Sequence, residues 1–301
     1  MSATQVLLHD LLSLRLLSRQ LDLSSRRRVL TDLAGTHLSG FRGRGFEFDD
    51  FRAYQTGDDV RAIDWRVSAR TSTPHIKLLR EERERPMLFA IDFSPSQFFA
   101  TRGKFKSVVC CEAVASLAWA AQQNGDRVGA VLFGQANKHT EIRPTGGSRG
   151  VTRLLKAMVE NHQVTDPVDA DHPPLIDALK RLRRSARPGS VVAIVSDFKD
   201  WNVRCERELL QLSRHCELLI GFVSDPFERE LPNAGRYPVE GAGFRGWLQT
   251  GKTQQENHTQ AFEKRREALR RTAIMCRAHW LELDTNTPAM DSLKRALGRR
   301  G

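Results

Sequence analysis

The sequence predicts an α/β protein, with a doubly wound and mostly parallel sheet preceded by helices and an irregular Gly/Arg/Asp-rich segment. Three observations carry that expectation. Short, wholly apolar runs such as Met87–Ile91 and Val191–Val195 alternate with helical stretches, the pattern of parallel strands covered on both faces. Two of those runs end on an aspartate, Asp92 and Asp197. Of the 301 residues, 40% are apolar and 28% charged, which supports a real core and excludes wholesale disorder.

Each element follows from its pattern. Residues 1–34 read as N-terminal helices: Val6, Leu7, Leu11, Leu14 and Leu17 recur at helical spacing, and Ser24 or Ser25 is placed to cap a second helix over 24–34. Residues 35–85 form a charged segment, broken by Gly35, Gly40, Gly43 and Gly45 yet carrying Phe46, Phe48, Phe51, Tyr54 and Trp65. It reads as an irregular stretch ending in a strand over His75–Glu82, and since the first 75 residues are too few and too irregular for a large core of their own, the segment is expected to pack on the core of the α/β domain. Residues 86–301 read as one α/β domain. Strands are expected over Pro86–Asp92, Asp126–Phe133, His139–Arg143 (an edge), Val191–Ser196, 216–223 and 279–283. Helices are expected over Lys104–Asn124, 148–161, 174–187, 203–214, 253–277 and 288–298.

The formal charge is +11, but it is diffuse. Residues 1–86 hold 15 basic and 12 acidic side chains, residues 87–199 hold 15 and 10, and residues 200–301 hold 17 and 14. The densest cluster is Lys180, Arg181, Arg183, Arg184 and Arg187 on one helix. Nucleic-acid binding through this helix is an alternative, though a solvated helix face is the plainer reading because no aromatic interleaves it for stacking. No apolar run approaches the ~20 residues of a membrane span, and His9, Asp10, Arg15 and Arg19 interrupt any signal-peptide pattern. Cys110, Cys111, Cys205, Cys216 and Cys276 form no CxxC, which suits a reduced, cytoplasmic compartment.

The sharpest local feature is Asp92-Phe93-Ser94-Pro95-Ser96, a DxSxS directly after a buried strand. In an open parallel sheet ligands bind beyond the carboxyl ends of the strands, where the winding reverses. If the strands ending at Asp92 and Asp197 flank that point, two carboxylates and the hydroxyls of Ser94 and Ser96 make an oxygen-only shell suited to Mg²⁺. Without further context, the same residues read as a helix N-cap.

This arrangement resembles the metal-ion-dependent adhesion site of von Willebrand factor A domains, a Rossmann-type fold. The strand Gly125-Asp126-Arg127-Val128-Gly129, continuing to Val131 and Phe133, is similar to that fold's second strand. A longer signature resembles the domain of unknown function 58 family, which joins a charged segment to a von Willebrand A-like domain. It comprises Gly43, Gly45, Glu47-Phe48, Arg52, Tyr54, Gly57-Asp58-Asp59, Arg61, Ile63-Asp64-Trp65 and Ala69-Arg70. The resemblance implies a metal site of Asp92, Ser94, Ser96 and Asp197, and a MoxR-type AAA+ ATPase, or its client, as partner. The adhesion site also takes a Thr where this chain has Pro173, so it implies an incomplete site with Mg²⁺ at low occupancy; Thr145 could substitute only if its loop reached over. In the Gly43–Arg70 block, Arg52, Arg61 and Arg70 are expected to pair with Glu47, Asp58, Asp59 or Asp64, and Trp65 to anchor the segment.

Enzyme signatures fare poorly. Gly246–Thr253 matches GxxxxGK[ST], but its bulky interior and the short stretch after it favour a β-hairpin around Tyr237–Leu248 with Thr253 capping the next helix. No HExxH, GxSxG or paired Cys/His zinc spacing occurs. The expectation is a non-enzymatic protein-interaction module. Alternatives are a metal-assisted phosphoester or NTP hydrolase using the same carboxylates, and the nucleic-acid binder above.

Overall fold

A computed structural model describes residues 2–21, 23, 46–55, 60–71, 73–81, 85–135, 138–163, 174–233, 235–241 and 244–297. The helix expected over 24–34, the Gly57-Asp58-Asp59 turn and Pro173 lie outside them. The chain divides into two units, residues 30–84 and the remainder.

The smaller unit is more regular than its glycines and charges suggest. Strand β1 (Phe46–Ala53) pairs antiparallel with β2 (His75–Glu81), with a register shift between Phe48 and Asp50; helix α2 (Trp65–Thr71) lies between them in sequence. The Phe46-x-Phe48 alternation is a strand period that the surrounding glycines and charges obscured. Asp64 Oδ1 accepts the amide hydrogens of Arg66 (2.9 Å) and Val67 (3.2 Å), which caps α2. Trp65, expected as an anchor, is 69% exposed: the cap fixes its backbone at the helix start and leaves the indole in solvent.

The larger unit opens with α1 (Leu8–Leu17). It continues through β3 (Pro86–Asp92), α3 (Lys106–Gln123), β4 (Arg127–Gln135), β5 (Lys138–Thr145), α4 (Gly147–Asn161) and α5 (Pro174–Ser185). Next come β6 (Val191–Ser196), α6 (Val203–Leu212), β7 (Glu217–Ser224) and a one-turn helix α7 (Pro226–Arg229). A hairpin of β8 (Gly235–Gly241) and β9 (Phe244–Thr250), then α8 (Lys252–Met275), β10 (His279–Asp284) and α9 (Ala289–Leu297), complete the order.

Six strands form one sheet in the order β10-β7-β6-β3-β4-β5, parallel except for the antiparallel edge β5. Alternate residues of β3 feed opposite cores. Met87, Phe89 and Ile91 pack with α1, α3, α4 and α9, whereas Leu88 and Ala90 pack with α5, α6 and α8. Burial on both faces is why the strands read as continuous apolar runs rather than alternating ones. Helix α3 is buried along most of its length, so its small residues (Ala113, Ala115, Ala118, Ala121) permit close approach to the sheet. After β3 the chain goes to β4 on one side and later returns to β6 on the other, so the winding reverses between β3 and β6.

One local expectation is corrected and its neighbour, the hairpin around Tyr237–Leu248, is met by β8 and β9. Gly251, not Thr253, stands at the N-cap of α8, and its amide donates to Gln254 Oε1 at 3.0 Å. Gly246–Thr250 lie in β9, so the GxxxxGK[ST] match runs along extended backbone rather than a phosphate-cradling loop. On α5, Arg181 pairs with Glu141 at 2.5 Å, Arg183 with Glu208 at 2.7 Å and Lys180 with Asp177 at 3.9 Å. Part of the basic cluster is therefore neutralised by its own fold.

Candidate functional site at the carboxyl ends of β3 and β6

Strand β3 delivers Asp92 and strand β6 delivers Ser196 and Asp197 to one end of the sheet, at the reversal of winding. The sequence-predicted residues are brought together there. Asp92 Oδ1 accepts from the Ser94 amide (2.8 Å) and the Ser94 hydroxyl (2.5 Å). Its Oδ2 accepts from the Ser196 hydroxyl (2.5 Å) and Gln97 Nε2 (3.2 Å). Ser96 hydrogen-bonds to Asp197, so the DxSxS loop is tied to both carboxylates. A short 3₁₀ turn over Pro95–Gln97 comes after Ser94, which makes no side-chain cap hydrogen bond. Asp92 and Asp197 are buried, while Ser94 and Ser96 are half-buried and give access from solvent.

Several contributors had no signal in the motif. Lys106, in the first turn of α3, has no exposed side-chain surface; its Nζ lies 2.7 Å from Asp197 Oδ2 and 2.6 Å from Glu228 Oε1. A lysine opening an Ala-rich helix whose one other charged residue is Glu112 was the available clue, since a buried ammonium demands carboxylate partners. Glu228 is held in turn, its Oε2 accepting the Asp225 amide hydrogen at 3.1 Å within a capping box. Phe198 has φ 51°, a left-handed conformation costly for a bulky residue; it aims the Phe198 amide at Ser196 Oγ (2.9 Å) and the Lys199 amide at Asp197 Oδ1 (3.1 Å).

The electrostatics of the two carboxylates diverge. Burial, and then the charge of Asp197, push the Asp92 carboxyl up to about 6 against the pull of its serine donors. Burial would raise Asp197 as well, but the Lys106 ammonium and the donors Ser96 and Lys199 N–H overrule it and hold that carboxyl below its ordinary value. Burial opposes the Lys106 charge too, and Asp197 with Glu228 outweighs it.

Mg²⁺ fits the donor set present in part. The oxygens are of the hard type it prefers, and Asp92, Asp197, Glu228 and Lys106 together carry a formal charge of about −2, which one divalent ion would balance. The hydrogen-bonded oxygens of both aspartates are already engaged. Among the described residues, no three His, Cys, Asp or Glu side chains converge as a metal-ligand group, so serine hydroxyls would have to contribute. Thr145 does not supply the missing hydroxyl: it pairs with Val128 at the start of β4, whereas Asp92 pairs with Phe133 near its end. Five residues of strand, about 16 Å, separate those levels, and Thr145 Oγ1 instead donates to the Arg143 carbonyl at 3.1 Å.

Among solved structures, the chain is similar to the conserved hypothetical protein BatB from Bacteroides thetaiotaomicron, at 14% identity and a TM-score of 0.44, covering 70% of this chain and 96% of that one. It is also similar to an aerotolerance-related membrane protein from Bacteroides fragilis, at 12% identity and a TM-score of 0.43, covering 70% and 98%. Among the described residues, no helix is long and apolar enough to cross a membrane. The uncharacterized proteins Rv1480 of Mycobacterium tuberculosis and Mb1516 of Mycobacterium bovis are each 30% identical over 284 residues, covering 94% of this chain and 88% of theirs. Residues 50–272 match the family described as protein of unknown function DUF58, and with relatives similar along almost the whole length, the chain belongs to that family.

Proposed function

We propose that this protein is a non-enzymatic docking module of the von Willebrand factor A type, in which the β3–β6 end of the sheet engages an acidic side chain of a protein partner with the help of a divalent cation. The observation that carries the reading is the meeting of Asp92, Ser94, Ser96 and Asp197 at the reversal of winding, with more buried negative charge than Lys106 neutralises. Mg²⁺ bound there would supply positive charge and an open coordination position for the partner's carboxylate.

The chain's own residues do the remainder. Asp92 and Asp197 set the negative potential, Ser94 and Ser96 offer oxygens from the accessible side, and Ser196 and Gln97 hold Asp92 in one rotamer. The family resemblance makes a MoxR-type AAA+ ATPase the partner to test first. Pull-down of that ATPase by the full chain should depend on Mg²⁺, fall with EDTA and fall with Asp92→Ala. Binding indifferent to all three would sink the cation-bridge reading.

A further inference from the structure

We propose that Lys106 is the specificity-determining residue of this site, its ammonium acting as a tethered monovalent cation that engages Asp197 and limits the affinity for Mg²⁺. The inference rests on the cation-docking reading above and concerns how that site is tuned.

Three facts support it. The Lys106 side chain is sealed from solvent, so its charge cannot be hydrated away or swing aside as a surface lysine would. It reaches Asp197 Oδ2 at 2.7 Å, while Asp197 Oδ1 already accepts the Lys199 amide at 3.1 Å, so both oxygens of that carboxylate have donors. Glu228, which shares the ammonium at 2.6 Å, is itself pinned to the Asp225 amide, so Lys106 is held from two sides. Both Asp92 oxygens have donors as well, but neutral ones, so a divalent ion at Ser94 and Ser96 would meet Asp92 with no opposing charge and Asp197 only against a fixed ammonium. Asp92 carries no such ammonium: its donors are two hydroxyls, an amide and a carboxamide. The asymmetry divides the roles, with Asp92 facing the ion and Asp197 facing the lysine.

The experiment is calorimetric titration of Mg²⁺ into the full chain and its variants, with folding checked by circular dichroism. Lys106→Met, close in shape to the native side chain, should bind Mg²⁺ at least ~10-fold more tightly, because a like charge and a competing donor are removed together. That variant strands Glu228 and Asp197, so Lys106→Met/Glu228→Gln is included; it keeps the site's net charge, frees Asp197 Oδ2 and should also bind more tightly than wild type. Glu228→Gln alone should weaken binding ~10-fold, since the ammonium loses its second counter-ion and one negative charge is removed. Mg²⁺ affinities equal to wild type in both lysine variants would overturn the role of Lys106 and leave the docking reading standing. No Mg²⁺ binding by wild type or any folded variant would overturn both, whereas binding only by the lysine variants would support the role of Lys106 and overturn the cation-bridge reading of the wild-type site.

Discussion

A β-carbon on Gly134 would lie 2.3 Å from the backbone nitrogen of Ser94 and 2.5 Å from its hydroxyl. Gly134, one residue before the end of β4, has φ 96°, and the neighbouring Phe133 carbonyl accepts the Phe93 amide at 2.8 Å. The end of β4 is thereby pressed against the DxSxS loop, and only glycine allows both the dihedral and the approach. Gly134→Ala should cost about 2 kcal/mol or more, read from urea unfolding. A loss of less than about 0.5 kcal/mol, the range of an ordinary surface change, would mean that the loop is not held where this contact puts it.

Asp225 offers a second test, away from the cation-facing residues. Its carboxylate accepts from Thr101 Oγ1 (2.5 Å), the Thr101 amide (3.0 Å), the Phe227 amide (2.9 Å) and Thr285 Oγ1 (2.6 Å). Burial pushes this carboxyl up, and the four donors more than offset it, so the group is held below its ordinary value. One side chain therefore ties the loop before α3 to the ends of β7 and β10. Asp225→Ala strands several donors at once and should destabilise by about 3 kcal/mol in chemical denaturation. A variant as stable as wild type would mean that water replaces the carboxylate at no cost.

The docking of α1 rests on Trp119. Its Nε1 donates to the Leu11 carbonyl at 3.1 Å, and the Arg15 guanidinium lies 5.2 Å from the ring centroid. Trp119→Phe keeps an aromatic ring there but removes the donor and weakens the cation–π contact, a change worth about 1 kcal/mol. The loss should be local: faster amide hydrogen exchange across Leu8–Leu17, with β3 and β6 unaffected. Uniform acceleration over the sheet would place α1 within the main cooperative unit instead.

The sheet was legible because burial on both faces leaves only apolar residues and glycine in the interiors of β3, β6 and β7, a signal that survives without knowledge of the neighbours. The four motif residues were legible for a related reason, since a buried strand carries the residues just beyond its carboxyl end to a known edge of the sheet. Lys106 and Glu228 were not, because they come from separate helices and only packing brings Lys106 to Asp197 and Glu228 to Lys106. Strand β2 was expected, but its partner β1 was hidden by charge and glycine, which mark loops in most contexts but here flank a Phe46-x-Phe48 alternation. Thr145 failed as a substitute ligand for a topological reason: the antiparallel run of β5 carries it to the opposite end of the sheet from Asp92.

His162 provides a pH dependence that does not involve the carboxylate cluster. The ring lies just past α4, sits 2.9 Å from Ser107 Oγ through Nε2, and packs against Phe98 (centroids 5.0 Å) and edge-on to Phe93 (6.1 Å). Burial among these groups lowers its pKa from 6.5 to about 4. The unfolded chain therefore takes up the proton first as pH falls. The stabilisation from keeping a neutral ring is fully present above 6.5 and is lost as pH drops towards about 4. The ring is only partly buried, so solvent screening limits the effect to about 1 kcal/mol. His162→Gln keeps a polar group for Ser107 but cannot titrate. Its unfolding free energy, measured from pH 7.5 to pH 4 beside that of the wild type, should fall less steeply, with the difference developing between about 6.5 and 4. Carboxylate titrations common to both proteins cancel in that difference. Parallel curves would show that His162 is protonated in the folded state at its ordinary pKa, and that the Phe93–Phe98 pocket opens to admit water.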